Sequence, residues 1–345
     1  MSQPGPHPPT ANTNGDQSEP IAPPGPNRRQ VLAATALGTA IAAAPAVLGA
    51  GRAAAQQAQD AHAVSHRKEL AGKVAFITGG ARGIGLASGE ALAAAGADIA
   101  LFDVATPDLP HVQYPLASER DLQQAKTHIE AFGVRCLTFR GDVRDLGAQA
   151  DAMRQTVDAF GSLDIAVVNA GVSQVGAMED FSADEISTVY EINVSGAIKT
   201  TQAAVAHMKP QNAGRIIYIS SALGRMGNEL FPVYTSTKWA MIGVAKSAAL
   251  SYGKFNILCN VVAPGLVDTP LANNPFILGK MMPGVENPTF EAVAGSGVAS
   301  STLNVAHLEP EDVAKAVAFF AGEGAAKVSG EVFDVSYGSL ARSIA

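Results

Sequence analysis

The chain reads as an α/β protein, a doubly wound seven-stranded parallel sheet within a single domain. Two observations predict this. From Gly72 onward short β-branched runs alternate with helical stretches, and a run that reaches the next through a helix pairs with it in parallel by a crossover connection. The first run, Lys73-Val-Ala-Phe-Ile-Thr78, is apolar almost throughout, as a strand covered on both faces must be.

A helix from Gly83 to Ala95 follows that strand, closed by Gly96. Further strands are expected at Asp98 to Phe102, Arg135 to Phe139, Ile165 to Asn169, Arg215 to Ser220, Ile257 to Val262 and Glu331 to Val335. Between them lie helices near Asp121 to Phe132, Asp145 to Phe160, Ser182 to Met208, Tyr234 to Tyr252 and Pro310 to Ala321. Ser182 and Glu185 have capping-box spacing, and Pro310 sits where a first helical turn accepts proline. Two connections, Val104 to Arg120 and Pro264 to Leu308, exceed ordinary loop length, which inside a compact domain points to function.

With 47% hydrophobic and 16% charged residues, 345 residues suffice for a full core. The net charge of −7 and the lack of a basic run argue against nucleic acid as a partner. Residues 1–26, rich in Pro, Asn, Gly and Ser, are expected to be disordered. Asn27-Arg28-Arg29-Gln30-Val31-Leu32, an Ala-rich run to Gly51 and Ala53-Ala54-Ala55 then have the layout of a signal sequence. The segment resembles a twin-arginine signal, with Asn27 and Val31 departing from the usual residues. A membrane anchor is the competing reading, disfavoured by the weak hydrophobicity of alanine and by Pro45. Residues 1–55 are thus read as N-region plus signal, 56–69 as linker and 70–345 as the domain, with a periplasmic location expected and a cytoplasmic one as the alternative. The two cysteines, Cys136 and Cys259, fall on strands five positions apart, about 24 Å at ~4.8 Å per strand, and should be free. The seven histidines show no metal-ligand spacing, and no metal is expected.

Thr78-Gly-Gly-Ala-Arg-Gly-Ile-Gly85 joins the first strand to the first helix. Gly79, Gly83 and Gly85 allow a tight turn and close backbone approach, and the helix start, with Arg82 and Ile84, offers N–H groups to a pyrophosphate. Asp103, ending the second strand, stands where a carboxylate bonds ribose hydroxyls and repels a 2′-phosphate, so NAD is expected over NADP. Arg82 is a counter-signal, since a cation there can serve that phosphate. Asp142, with Val143, ends the third strand, where the carboxylate could accept from adenine. Asn169-Ala170-Gly171 ends the fourth, where small residues let the backbone approach a cofactor.

Tyr234 and Lys238 are four apart at a helix start and share one face. A lysine beside a phenol, together with a positive nicotinamide ring, lowers the phenol pKa toward general-base use. Ser221 ends the preceding strand, and Asn193 lies in the helix after the fourth.

With TGGARGIG, GDVRD, NAG, Asn193, Ser221, Tyr234-xxx-Lys238 and Asn260-Val-Val-Ala-Pro264-Gly265 with Thr269, the stretch from about Leu70 to Leu340 resembles the short-chain dehydrogenase/reductase family. The resemblance implies a Rossmann fold, an oxidoreductase of CH–OH groups, and a tetramer or dimer packed through the helices bearing Asn193 and Tyr234. It implies that Ser221 holds the substrate oxygen, Tyr234 exchanges its proton, Lys238 binds the nicotinamide ribose and Asn193 holds a relaying water. Pro264, Gly265, Val267 and Thr269 would line the nicotinamide end. A redox sensor or scaffold that binds dinucleotide without catalysis is the alternative, which the complete tetrad disfavours.

The connection after Asp103, with Tyr114-Pro-Leu-Ala-Ser-Glu-Arg-Asp-Leu122, and the tail SYGSL are similar to the carveol-dehydrogenase-like subgroup, whose members are often coupled to mycofactocin. That similarity implies a tightly held cofactor reoxidised in place by a redox carrier, with the insert as a clasp. Retention would allow export of a folded, loaded enzyme. Phe276, Ile277, Leu278, Met281, Met282 and Phe290 suggest an apolar cover over the substrate, with Met226 and Phe231 on the opposite wall and an alicyclic secondary alcohol as the substrate class.

Overall fold

The computed structural model describes residues 69–297 and 301–341; the expected signal, and all of the expected linker except Glu69, lie outside them. Seven parallel strands form one sheet: β1 (Val74–Thr78), β2 (Asp98–Asp103), β3 (Cys136–Arg140), β4 (Ile165–Val168), β5 (Gly214–Ile219), β6 (Ile257–Pro264) and β7 (Val332–Val335). Their order is β3-β2-β1-β4-β5-β6-β7. Chain direction across the sheet therefore reverses between β1 and β4, the place where a crevice opens beyond the strand ends.

Strand periodicity divides the core in two. In β1, Ala75 and Ile77 point into one cluster and Phe76 into the other; in β2, Ile99 and Leu101 oppose Ala100 and Phe102. The first cluster lies under α1 (Gly83–Ala94), α2 (Glu119–Glu130) and the helix Pro310–Ala321, contributing Leu92, Ile129, Val317 and Phe320. The second lies under α3 (Leu146–Phe160), the long helix Gly196–Gln211 and the helix Pro232–Tyr252, through Met153, Met208 and Met241. Each fully buried aliphatic chain contributes roughly 1.5–3 kcal/mol. Both cysteines are buried and free, Cys136 in the first cluster and Cys259 in the second.

Local signals explain where helices begin and end. Ser118 and Asp121 form a reciprocal capping box that starts α2, and Asp145 caps α3, which Gly161 ends at φ 97°. The helix expected as one element from Ser182 to Met208 is two. The first, α4 (Ala183–Tyr190), starts at the Ser182/Glu185 box, a π-helical turn occupies Glu191–Ser195, and α5 (Gly196–Gln211) follows. Sequence periodicity does not register one extra residue in a turn, and that residue swings Asn193 inward. The long helix α6 (Pro232–Tyr252) has Pro232 in its first turn. The connection after β6 is also not bare loop, since it carries α7 (Pro275–Met281) and α8 (Phe290–Gly297) before α9 (Pro310–Ala321). Among the described residues no helix is long and apolar enough to cross a membrane.

Candidate active site

The seam between β1 and β4 is fixed by side chains. Thr78 Oγ1 accepts from the Asn169 and Ala170 N–H groups at 3.1 and 3.2 Å, while Asn169 Nδ2 donates to the Thr78 and Gly79 carbonyls, each at 3.0 Å. Gly79, at φ 66°, has no room for a side chain: a Cβ there would stand 2.9 Å from the Ala170 Cα. A Cβ on Gly85 would overlap the Gly79 carbonyl oxygen. No side chain caps α1, so the first-turn N–H groups remain for an anion at the crevice, where Gly83 and Ile84 form part of the wall. That cradle suits a pyrophosphate. The crevice encloses about 910 Å³, part of it open to solvent.

At its outer end Asp103 is buried, and its two oxygens accept from the Ala81 and Ala105 N–H groups at 3.1 and 3.0 Å. Burial still holds its carboxyl above the ordinary range. Each oxygen keeps a lone pair, which suits two neighbouring ribose hydroxyls. Arg82 also lines the crevice, and its Nη2 donates to the Pro115 carbonyl at 2.6 Å. Asp142 borders the crevice, but Arg144 binds both its oxygens; burial raises its carboxyl and the guanidinium outweighs that, leaving it below its ordinary value. Val143 is buried at the same wall.

The insert after β2 crosses this end. Besides Arg82 and Pro115, the Ser173 N–H donates to Tyr114 Oη at 2.9 Å and Gln174 Nε2 donates to the His111 carbonyl at 2.8 Å. Leu109, Tyr114 and Leu116 form part of the crevice wall. The insert thus ties the glycine loop on one bank to the segment after β4 on the other. Tyr114 is a site residue that the sequence reading named only as part of the insert, although a tyrosine among its smaller apolar and polar residues was the available signal.

Four chemical groups meet at the inner end. Ser221 starts a short 3-10 turn, where its Oγ accepts from the Leu223 N–H at 3.1 Å. Tyr234 and Lys238 lie one turn apart on α6, with the ammonium 5.4 Å from the phenol ring centre and donating to the Ile219 carbonyl at 2.9 Å. Asn193 Oδ1 accepts from the Val172 N–H at 2.8 Å, and its Nδ2 donates to the Val172 carbonyl and Thr237 Oγ1 at 2.9 and 3.1 Å. A Cβ built on Gly171 would stand 3.2 Å from Asn193 Oδ1 and 3.6 Å from Lys238 Nζ, so Gly171 brings these two groups together, while Tyr234 is joined to Ser221 by a side-chain hydrogen bond.

Burial dominates the electrostatics here. It pushes the Tyr234 phenol up to about 12, partly countered by a hydrogen bond with Ser221, and drags the Lys238 ammonium down to about 8. The protein's own charges therefore do not lower the phenol by themselves, and the lowering expected from the lysine together with the nicotinamide ring needs both. Lowering it requires a further positive charge, such as an oxidised nicotinamide ring supplies.

Of the residues expected at the nicotinamide end, Thr269 reaches the crevice wall. Val267 is buried in the core beside Leu308, Gly265 lies against the Tyr337 ring, and Pro264 is the buried end of β6. Tyr337, within SYGSL, fixes this bend by accepting from the Leu266 N–H at 3.2 Å. Of the apolar candidates, Ile277 and Phe276 pack with Val175, Leu230 and Phe231, and the Phe231 ring meets Tyr234 edge-on at 6.4 Å. Leu278 and Phe290 form the separate small core of the α7–α8 cover, and Met226 is exposed. Among the described residues no cluster of His, Cys, Asp or Glu is arranged to hold a metal.

Residues 73–276 match the short chain dehydrogenase family. A (-)-trans-carveol dehydrogenase of Rhodococcus erythropolis is 31% identical over 78% of this chain and 97% of its own length. Carveol dehydrogenase from Mycobacterium avium, solved in complex with NAD, superposes with a TM-score of 0.77 at 32% identity, covering 79% of this chain and 99% of its own. A short chain dehydrogenase from Mycobacterium paratuberculosis bound to NAD gives 0.71 at 34% identity, covering 79% and 98%. With the crevice, the glycine cradle and the Tyr-Lys turn in place, the chain belongs to the short-chain dehydrogenase/reductase family, the nicotinamide-dependent oxidoreductases of CH–OH groups.

Proposed function

We propose that the protein oxidises an apolar, alicyclic secondary alcohol to its ketone with NAD, using Ser221, Tyr234, Lys238 and Asn193. The observation that carries this reading is that Gly171, in the wall of the crevice that also holds Asp103, packs against Asn193 and Lys238, with Tyr234 beside Lys238 and hydrogen-bonded to Ser221. Bound NAD supplies the acceptor for the carbinol hydrogen and its electron pair. Ser221 holds the substrate oxygen, and Tyr234 accepts its proton as the carbonyl forms. Lys238, positioned by its bond to the Ile219 carbonyl, adds positive charge beside the phenol and orients the ribose. Asn193 fixes the Val172 backbone and, from its π turn, holds the water that returns the proton to solvent. The apolar wall of Phe231, Val175 and Ile277 favours a hydrocarbon ring. NAD is favoured over NADP because the Asp103 carboxylate would repel a 2′-phosphate.

The insert, bonded to both banks of the crevice, supports a retained cofactor, and the Arg28-Arg29 segment supports export of the folded, loaded enzyme through the twin-arginine route to the periplasm. A redox carrier then reoxidises the cofactor in place. Ile198 on α5 and Trp239 and Leu250 on α6 are exposed, which suits a homo-oligomer packed through those helices.

The test uses protein recovered from the periplasm and extensively desalted. Denaturation should release close to one NAD(H) per chain, and carveol with an artificial electron acceptor should yield ketone. Release of little or no dinucleotide removes the retention and export readings, while failure to form ketone from any alicyclic alcohol removes the substrate class.

A further inference from the structure

A second cavity, about 580 Å³ and open to solvent, lies between the insert, the segment after β4 and α7. Its lining is more polar than the wall beside Tyr234: Gln113, Gln174, Asp180, Glu185 and Lys280 stand with the apolar Val175, Phe181 and Phe276. Most of these polar groups stand at the surface. Gln174 does not, being 2% exposed. Its Nε2 is engaged by the His111 carbonyl at 2.8 Å, while its Oε1 is buried without any hydrogen-bond partner in the protein. A buried acceptor left unmatched costs roughly 1–3 kcal/mol, and at the wall of an open cavity a bound group can provide the donor.

The cavity adjoins the catalytic end through shared residues. Phe276 belongs both to its lining and to the apolar cluster with Val175 and Phe231, whose ring meets Tyr234. An apolar body seated along that cluster, with its carbinol at Tyr234, would present its far end to Gln174. The charges around the cavity have both signs, and Glu185 is already held by Ser182 and Gln113, so the surroundings favour a neutral donor over a cation.

We propose that Gln174 reads a second hydroxyl on the substrate, remote from the one oxidised, so that the true substrate is a hydroxylated alicyclic alcohol rather than a bare hydrocarbon alcohol. This rests on the oxidoreductase reading above and narrows its substrate class. The hydroxyl donates to Gln174 Oε1, and a substrate lacking it leaves that oxygen unmatched.

Two probes differ in this feature alone where it matters: carveol, and sobrerol, which carries the same ring carbinol and a tertiary hydroxyl on its side chain. The expected kcat/KM for sobrerol exceeds that for carveol by about tenfold, the scale of one buried hydrogen bond. Gln174→Met, similar in volume and without the acceptor, should abolish that ratio. Gln174→Glu loses the donor to His111 yet keeps an acceptor, and should preserve it. Equal kcat/KM for the two alcohols in the wild type overturns the proposal. So does a ratio that Gln174→Met leaves intact, or that Gln174→Glu loses equally, since the latter would assign the effect to the His111 bond. Calorimetry of both alcohols with the NAD-loaded Tyr234→Phe variant separates this from the reaction itself. If neither alcohol turns over, the substrate class fails, but tighter sobrerol binding that disappears in the Gln174→Met, Tyr234→Phe double variant still sustains the subsite, and equal binding dismisses it.

Discussion

The two ends of the crevice are built by different means. The outer end relies on backbone and one carboxylate: tight glycines, uncapped N–H groups of α1, and Asp103 held by two amides. The inner end relies on side chains from separate elements, Asn193 from a π turn, Ser221 from a strand end, and Tyr234 and Lys238 from α6. Recognition at the outer end is thus fixed by chain path, whereas reactivity at the inner end is set by burial and by charges that arrive with the ligand. Substitutions should therefore fail differently at the two ends.

The largest separation is expected from Tyr234→Phe. It removes the proton acceptor while leaving the cradle untouched, so turnover should fall by roughly 10²–10⁴-fold with dinucleotide content unchanged. Loss of dinucleotide along with activity would show the two ends to be one cooperative unit. A smaller effect is expected from Asp103→Asn, which keeps the shape but removes the charge. NAD affinity should fall about 10- to 100-fold and the ratio of NADP to NAD affinity should rise, read by titration of stripped protein. An unchanged ratio would transfer cofactor choice from Asp103 to the insert.

The smallest effect is a pH signature of Lys238. In stripped protein its ammonium is depressed to about 8 by burial, whereas in the unfolded chain it titrates near ~10.4. Between those values the unfolded chain binds more protons, so wild-type stability should rise with pH relative to Lys238→Met, and the difference should stay flat below about 8. Urea unfolding across that window measures it. A difference that falls with rising pH would mean that Lys238 is stabilised as a cation at the inner end.

The outer end was largely legible in sequence, because tight turns require glycine and a buried parallel strand requires an apolar run, both of which are local properties. Gly79, Gly83 and Asp103 line the crevice, and Gly85 packs against the Gly79 carbonyl. The inner end was legible as a set of residue types but not as an arrangement. The π turn at Asn193 depends on one residue too many in a helix, and the packing of Gly171 against Asn193 and Lys238 joins residues far apart in the chain. The Val267 side chain packs in the core, a place that sequence leaves open, since the same apolar side chain serves a core or a ligand wall and only tertiary packing decides. Arg82 was readable as a cation, yet its partner is a carbonyl of the insert, which carries no sequence mark.

The stitching of Thr78 to Asn169 has a mechanical consequence. Where two halves of a sheet diverge, the gap would ordinarily act as a hinge, but here five hydrogen bonds from the Thr78 hydroxyl and the Asn169 amide and N–H lock its root. The jaws cannot yawn. Any breathing that admits or releases a ligand must then come from the roof, the insert and the α7–α8 cover, so amide hydrogens along the seam should exchange only with global unfolding while those of the roof exchange sooner.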